Sequence, residues 1–366
     1  MVGKIFMGKE TTIETLDFLD VTGLRIINNR FRLLEEVPGG KSSTSFFGVD
    51  EQTNKSIFVK LLIFPRSELE SARFRNEAEF LKGQEGFNKL IKKTPKYISH
   101  GSLFQGRVLF LVTEKVEGTL LSDWIDTSFC KAGLTERLKI AYRIFGAAEH
   151  FGYFVTHRDL HPGNIKILDG DIDLYTRVPN YKVIILDWGQ SHSKLEAHYA
   201  EEDDDIKIID NGMGREITTS FYNLPPETFM DWNRAGSEYN KYDSWAMGLL
   251  LYKLISGEDL FSFDNIGQFA ESMRHIEMDI ESKVQRIGEY AGAKKLILQG
   301  LLYHLLAKDP RERMFIQTAR MVLWFILVED FEPDDVGMVA RFLRDPLGFK
   351  EIQWKHFDSD PLDSIY

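Results

Sequence analysis

Two short stretches hold residue types whose spacing could do chemistry. Residues 157–165 read His-Arg-Asp-Leu-His-Pro-Gly-Asn-Ile, with four residues between Asp159 and Asn164. Residues 183–189 read Val-Ile-Ile-Leu-Asp-Trp-Gly, an apolar strand-like run that ends at Asp187, after which Gly189 lets the chain turn. A carboxylate placed to take a hydroxyl's proton, with Asn164 and Asp187 as oxygen ligands for Mg²⁺, supplies what transfer of a γ-phosphoryl group requires. Alone, the first stretch also fits a surface turn with an incidental Asp and Asn. The elements around it decide.

Those elements must come from 366 residues, enough for two ordinary domains or one two-lobed enzyme with extensions. An apolar fraction of 43% and an aromatic fraction of 13% suit large buried cores. The single cysteine, Cys130, excludes an intrachain disulfide framework and suits a reducing compartment. The first residues show no apolar core followed by a cleavage site, so no signal peptide is expected. The strongest apolar run, Val322–Val328, is too short to cross a bilayer. A net charge of −11 repels nucleic-acid backbones. These features predict a cytoplasmic protein with neither membrane insertion nor nucleic acid as a partner.

Taken in order, Thr11–Leu19 reads as a short helix. Phe31–Val37 and Ser45–Val49 read as strands joined by a turn of small residues, Pro38–Thr44. At such a tip Gly39 and Gly40 let backbone N–H groups come close to phosphates. Gly40-Lys41-Ser42 also suggests a Walker A loop, but Glu35 stands where its first glycine is needed and no helix pattern follows. Ser56–Ile63 is an apolar strand broken by one charge, Lys60. A lysine there faces water on an edge or needs a partner or a phosphate, because burying a lone ammonium is costly. A helix-like run covers Glu68–Lys82 and includes Glu77, just before Phe80-Leu81. Lys89, Lys92, Lys93 and Lys96 then read as solvated surface. Val108–Val112 is a buried-type strand running into Thr113–Gly118, and helical periodicity covers Leu120–Ile125 and Thr135–Phe151. Asp169-Gly170-Asp171 suggests a turn and lacks the further ligands of a calcium loop. Near the start of a buried-type helix stands Asp243, an expensive carboxylate unless it accepts backbone N–H bonds.

In order and spacing these motifs resemble those of the protein kinase-like superfamily over roughly residues 30–320. The resemblance implies an α+β, two-lobed fold: an N-lobe over 30–117 with a small antiparallel sheet and one helix, and a larger, mainly helical C-lobe over 118–325. Residues 1–29 and 326–366 become extensions, and the latter leaves room for a regulatory partner. ATP and Mg²⁺ would lie between the lobes. Gly39 and Gly40 would cover the phosphates, although Ser42, Ser43 and Thr44 stand where further glycines are usual. Lys60 would position the α and β phosphates, held by Glu77, with Glu79 as the alternative two residues on. Backbone groups of Glu114 and Val116 would meet the adenine edge, with Thr113 at the back wall. Asp159 would act as base and orienter, and Asn164 and Asp187 as metal ligands. Residues 190–227 take the position of an activation segment ending at Pro225-Pro226-Glu227. Its acidic run Glu201–Asp205 reads as solvated loop, or else that run, or phosphate on Thr218, Thr219 or Ser220, neutralises Arg158. Asp243 would anchor the catalytic loop, and Arg313 would pair with Glu227.

Three departures bear on substrate. His161 stands where serine/threonine-specific protein kinases usually carry lysine, and His-Pro-Gly-Asn is also seen in kinase-like small-molecule phosphotransferases. Trp188 replaces the more frequent Phe, as in some protein kinases. The degraded glycine loop and Trp188 favour a nucleotide-binding pseudokinase, whereas the presence of Lys60, Glu77, Asp159, Asn164 and Asp187 together speaks against it. Small-molecule phosphotransferases generally lack the Asp243 and Arg313–Glu227 features, so the expected activity is that of a serine/threonine protein kinase acting on a protein substrate.

Overall fold

Alternation of buried and exposed side chains builds the first half of the molecule. In this computed structural model the described residues are 4–6, 12–14, 19, 20, 22–37, 43–88, 92–152, 155–170, 180–193, 223–230, 241–262 and 266–328. Strands β1 (Lys4–Phe6) and β2 (Thr12–Glu14) pair antiparallel. The helix expected over Thr11–Leu19 is therefore absent at its start. Thr12 and Ile13 are β-branched and prefer the extended backbone of a paired strand.

Next come β3 (Ile26–Ile27), β4 (Phe31–Val37), β5 (Thr44–Asp50), β6 (Lys55–Ile63), β7 (Tyr97–Leu103) and β8 (Val108–Glu114). They form one antiparallel sheet in the order β3-β4-β5-β6-β8-β7. One face closes over Phe31, Leu33, Phe46, Ile57, Val59, Leu61, Val108, Phe110 and Val112. Helix α1 (Glu68–Gly83) starts at Ser67, whose hydroxyl accepts the Glu70 N–H, and buries Phe74, Glu77, Ala78 and Leu81 against the sheet's other side. The turn with Gly39 and Gly40 lies outside the described residues.

After β9 (Thr119–Leu120) the chain becomes mainly helical: α2 (Leu121–Ser128), α3 (Leu134–Gly152), α4 (Tyr242–Ser256), α5 (Ile266–Arg286), α6 (Lys295–Leu305) and α7 (Ile316–Val328). Helix α4 is apolar nearly all round, as a helix surrounded by others must be. Between α3 and α4 lie β10 (Val155–Thr156), β11 (Ile165–Leu168), β12 (Lys182–Ile185) and β13 (His192–Ser193). Strand β11 is central between β9 and β12, and β10 pairs with β13. The fold is α+β and two-lobed, with a sheet lobe and a helical lobe. Among the described residues no helix is long and apolar enough to cross a membrane.

The lobes meet at residues 115–118, which cross over β11. Gly118 has φ +97°, and a Cβ there would sit 2.5 Å from the Ile167 carbonyl oxygen, so the crossing admits glycine alone.

Candidate active site

Lys60 sits in the middle of β6, paired between β5 and β8, so its side chain has no open edge to escape from. Its ammonium donates to both carboxylate oxygens of Glu77, at 2.7 and 2.9 Å, and lies 3.3 Å from Asp187 Oδ1. Burial pulls the Lys60 pKa down, but the charges of Asp187 and Glu77 outweigh it and the net shift is upward. Glu79 points elsewhere, to His100 at 3.2 Å, so Glu77 is the partner of Lys60. A neighbour passed over by motif reading adds a second tie: Asn76 Nδ2 donates to the carbonyls of Ser191 and Gly189, at 2.8 and 3.4 Å. Helix α1 is thus fastened to the Asp187 turn through adjacent residues.

Asp187 follows β12 with φ +57°, a left-handed backbone uncommon outside glycine. Its pKa is lowered, chiefly by the Lys60 charge, and its carboxylate is 48% exposed, so it is ionised and accessible. Trp188 turns inward and is 1% exposed. Its indole stacks on Phe80, meets Phe151 and His157 edge-on, and donates from Nε1 to the Ile185 carbonyl at 3.1 Å.

The segment 157–164 is held from both sides. Asp243, buried at the start of α4, accepts the backbone N–H groups of His157 at 2.6 Å and Arg158 at 2.9 Å. Those bonds fix Arg158 at φ +67°. Burial pushes the Asp243 pKa up to about 6 against the pull of these bonds. The His157 ring works as a spacer. Its Nδ1 accepts the Asp159 N–H at 3.2 Å, which leaves Nε2 as the donor to the Leu186 carbonyl at 2.9 Å. Burial holds its pKa down to about 4, so the ring is neutral and the tautomer is set. Asn164 donates from Nδ2 to the Asp159 backbone carbonyl at 3.0 Å and to its Oδ2 at 3.4 Å, leaving its own Oδ1 free of that contact. The Leu186 N–H donates to the Asn164 carbonyl at 2.8 Å, which locks the two motifs in register. Burial first, then the Asp187 charge, push the Asp159 pKa up to about 7. His161 Nδ1 accepts the Gly163 N–H at 3.1 Å, and its Nε2 lies 3.9 Å from Asp159 Oδ1.

Among the described residues no three His, Cys, Asp or Glu side chains cluster as a ready-made metal site. The oxygen atoms of Asp187 and Asn164 fit Mg²⁺ nonetheless, since that ion takes one or two protein oxygens and fills its shell with phosphate and water. At the hinge, the Glu114 N–H donates to the Lys96 carbonyl at 2.9 Å, and the Val116 carbonyl accepts from Lys166 Nζ at 2.7 Å. Lys166 has the same signature as Lys60, a cation inside an apolar strand, and that signal could have singled it out.

Farther from the cleft, Arg313 donates to both oxygens of Glu227, at 2.6 and 2.5 Å, and both side chains are buried. The acidic run 201–205, Thr218, Thr219 and Ser220 lie outside the described residues.

The protein kinase domain description matches residues 31–325. The chain is 26% identical over 261 residues to the mitogen-activated protein kinase pmk-3 of Caenorhabditis elegans, covering 61% of this chain and 50% of that protein. It is 23% identical over 311 residues to the serine/threonine-protein kinase PKZ1 of Phytophthora infestans, covering 80% of this chain and 69% of that protein. The chain thus spans half the length of the nematode relative.

Proposed function

The chain belongs to the protein kinase family, and on that premise we propose that it transfers the γ-phosphoryl group of ATP, with Mg²⁺, to serine or threonine hydroxyls of a protein. One observation carries this reading. A lysine from the sheet lobe touches a helix glutamate and a half-exposed aspartate at once, and the charge of that aspartate acts on Asp159, which Asn164 contacts in turn. The proposal divides the chain at the hinge into 30–117 and 118–325, between extensions 1–29 and 326–366, and places it in the cytoplasm.

Each residue then has a separate task. Lys60, kept in place by Glu77, holds the α and β phosphates, and Gly39 and Gly40 cover them with backbone N–H groups. The hinge groups of Glu114 and Val116 bind the adenine edge. Asp187 and Asn164 would hold Mg²⁺, which when bound offsets charge on the transferring group. Asp159 accepts a hydrogen bond from the incoming hydroxyl, aligns it in line with the phosphorus, and takes its proton as the new P–O bond forms while the bond from the γ-phosphorus to the β-phosphate oxygen breaks and ADP leaves. A pKa near 7 suits that exchange at neutral pH.

A second reading, transfer to a small hydroxylated molecule, is favoured by His161, whose ring beside Asp159 adds a nitrogen near the acceptor. Labelled ATP and a protein mixture separate the two. The protein-kinase reading expects label on phosphoserine or phosphothreonine, lost in Asp159→Ala and Lys60→Met. Label on small molecules alone, or retained by both variants, overturns it.

A further inference from the structure

Asn76 stands one residue before Glu77 on α1, on the side that meets the turn 187–191. Three oxygens surround its amide nitrogen: the carbonyls of Ser191 and Gly189, at 2.8 and 3.4 Å, and Ser191 Oγ at 3.2 Å. Two of them are carbonyls, which only accept, so the NH₂ end of the amide must face them. One turn earlier the helix meets the same loop with its own backbone. A Cβ on Gly189 would sit 3.3 Å from the Arg73 carbonyl oxygen, so loop and helix lie against each other with no side chain between.

The loop hands these constraints on to Asp187. Ser191 closes it, its N–H and its Oγ both donating to the Trp188 carbonyl, at 3.0 and 2.7 Å. The Trp188 N–H reaches the Glu77 carboxylate, and the Gly189 N–H reaches the carboxylate of Asp187. Gly189 thus grips Asp187 through its N–H while Asn76 holds its carbonyl. Helix α1 belongs to the sheet lobe and the loop to the helical lobe, so the Asn76 amide joins the two walls of the cleft. The two cations that Asp187 would face differ in what they ask of it. The Lys60 ammonium is a compact charge that tolerates a turn of the carboxylate, whereas Mg²⁺ demands near-ideal octahedral geometry. Loss of the Asn76 bonds should therefore weaken the metal far more than the ion pair.

We propose that Asn76 is a positioning residue for the metal: by holding Gly189 and Ser191 it orients Asp187 toward Mg²⁺ without touching metal or nucleotide. Its role rests on the reading of Asp187 as a metal ligand, and direct binding keeps the two distinguishable. Titration calorimetry of the full chain with AMP-PNP at pH 8, once with excess Mg²⁺ and once with EDTA, reads the affinity gained from the metal without turnover. The wild type should bind more tightly with Mg²⁺. In Asn76→Ala that gain should shrink by about three- to tenfold, the range for one or two lost hydrogen bonds, while the affinity in EDTA stays within about twofold. Asn76→Asp keeps the shape of the side chain but presents only acceptors to the loop, so it should lose at least as much of the gain. A packing role alone would leave the aspartate variant with the wild-type gain. Should Asn76→Ala fail to fold, Asn76→Asp carries the same expectation. Its Trp188 and Gly189 amides, without nucleotide, should also exchange hydrogen faster than those of the wild type. A full gain in Asn76→Asp, equal losses with and without Mg²⁺, or wild-type exchange at those two amides overturns the inference. If the wild type binds AMP-PNP no more tightly with Mg²⁺, the metal reading falls and takes this inference with it.

Discussion

Trp188 lies flat on Phe80, ring centroids 4.1 Å apart and planes within 18°. The contact joins the residue after Asp187 to the helix that bears Glu77, so both partners of Lys60 are positioned by one aromatic pair. Trp188→Ala would leave a cavity between Phe80, Phe151 and His157 and is expected to cost about 3–5 kcal/mol. Trp188→Phe should cost clearly less and keep phosphoryl transfer. Urea unfolding of both variants, with initial rates, checks this. Equal losses of stability would show that the stacked ring contributes nothing specific.

The high pKa of Asp159 makes a prediction with a definite sign. An acid whose pKa rises on folding, here from 3.8 to about 7, holds more protons folded than unfolded between those values. Its presence therefore lowers stability progressively as pH climbs through that window, and the cost is complete above pH 7. Asp159→Asn should thus melt at higher temperature than the wild type at pH 8, and the gap should close toward pH 4. Wild-type kcat/KM should fall as pH drops below about 7, because the base becomes protonated. A melting gap of the same size at pH 5 and pH 8 would refute the assignment.

Asp243 is expected to act on the loop's backbone and not on the reaction. Asp243→Ala strands the buried His157 N–H and the partly buried Arg158 N–H, at a cost of about 1–3 kcal/mol. Hydrogen exchange should speed up at those two amides before the rest of α4 responds. If both amides keep wild-type protection, the carboxylate is not their anchor.

Removing one partner of the Arg313–Glu227 pair should cost more than removing both. Arg313→Met leaves a buried carboxylate with no counter-ion and should destabilise by about 3–5 kcal/mol. Adding Glu227→Leu should recover much of that loss. Chemical denaturation of the single and double variants gives the answer, and strict additivity would sink the idea.

Strands and helices whose side chains alternate with a clear period were readable from the residues. Phe31–Val37 is a strand with the expected limits, and the helix expected over Glu68–Lys82 ends one residue later. Lys60 was legible because its surroundings are otherwise apolar, and Asp243 because a lone carboxylate in an apolar helix must be satisfied by something. Three features were not legible for reasons of geometry. Thr12–Glu14 is too short to show a period, and its partner strand decides its conformation. Asn76 acts through a reach across 115 residues of chain to Ser191 that no local pattern announces. The hydrogen-bonding direction of the His157 ring depends on Leu186 and Asp159 approaching it from opposite sides.

Arg158 and Asp187 both hold left-handed backbone angles without being glycine. Such angles cost roughly 1–3 kcal/mol each, which the surrounding bonds must offset. Heat tolerance and turnover should therefore pull these two positions in opposite directions. A laboratory selection for survival at high temperature alone would enrich glycine at 158 and 187, and its winners would be sturdy proteins that had lost the guanidinium and the carboxylate.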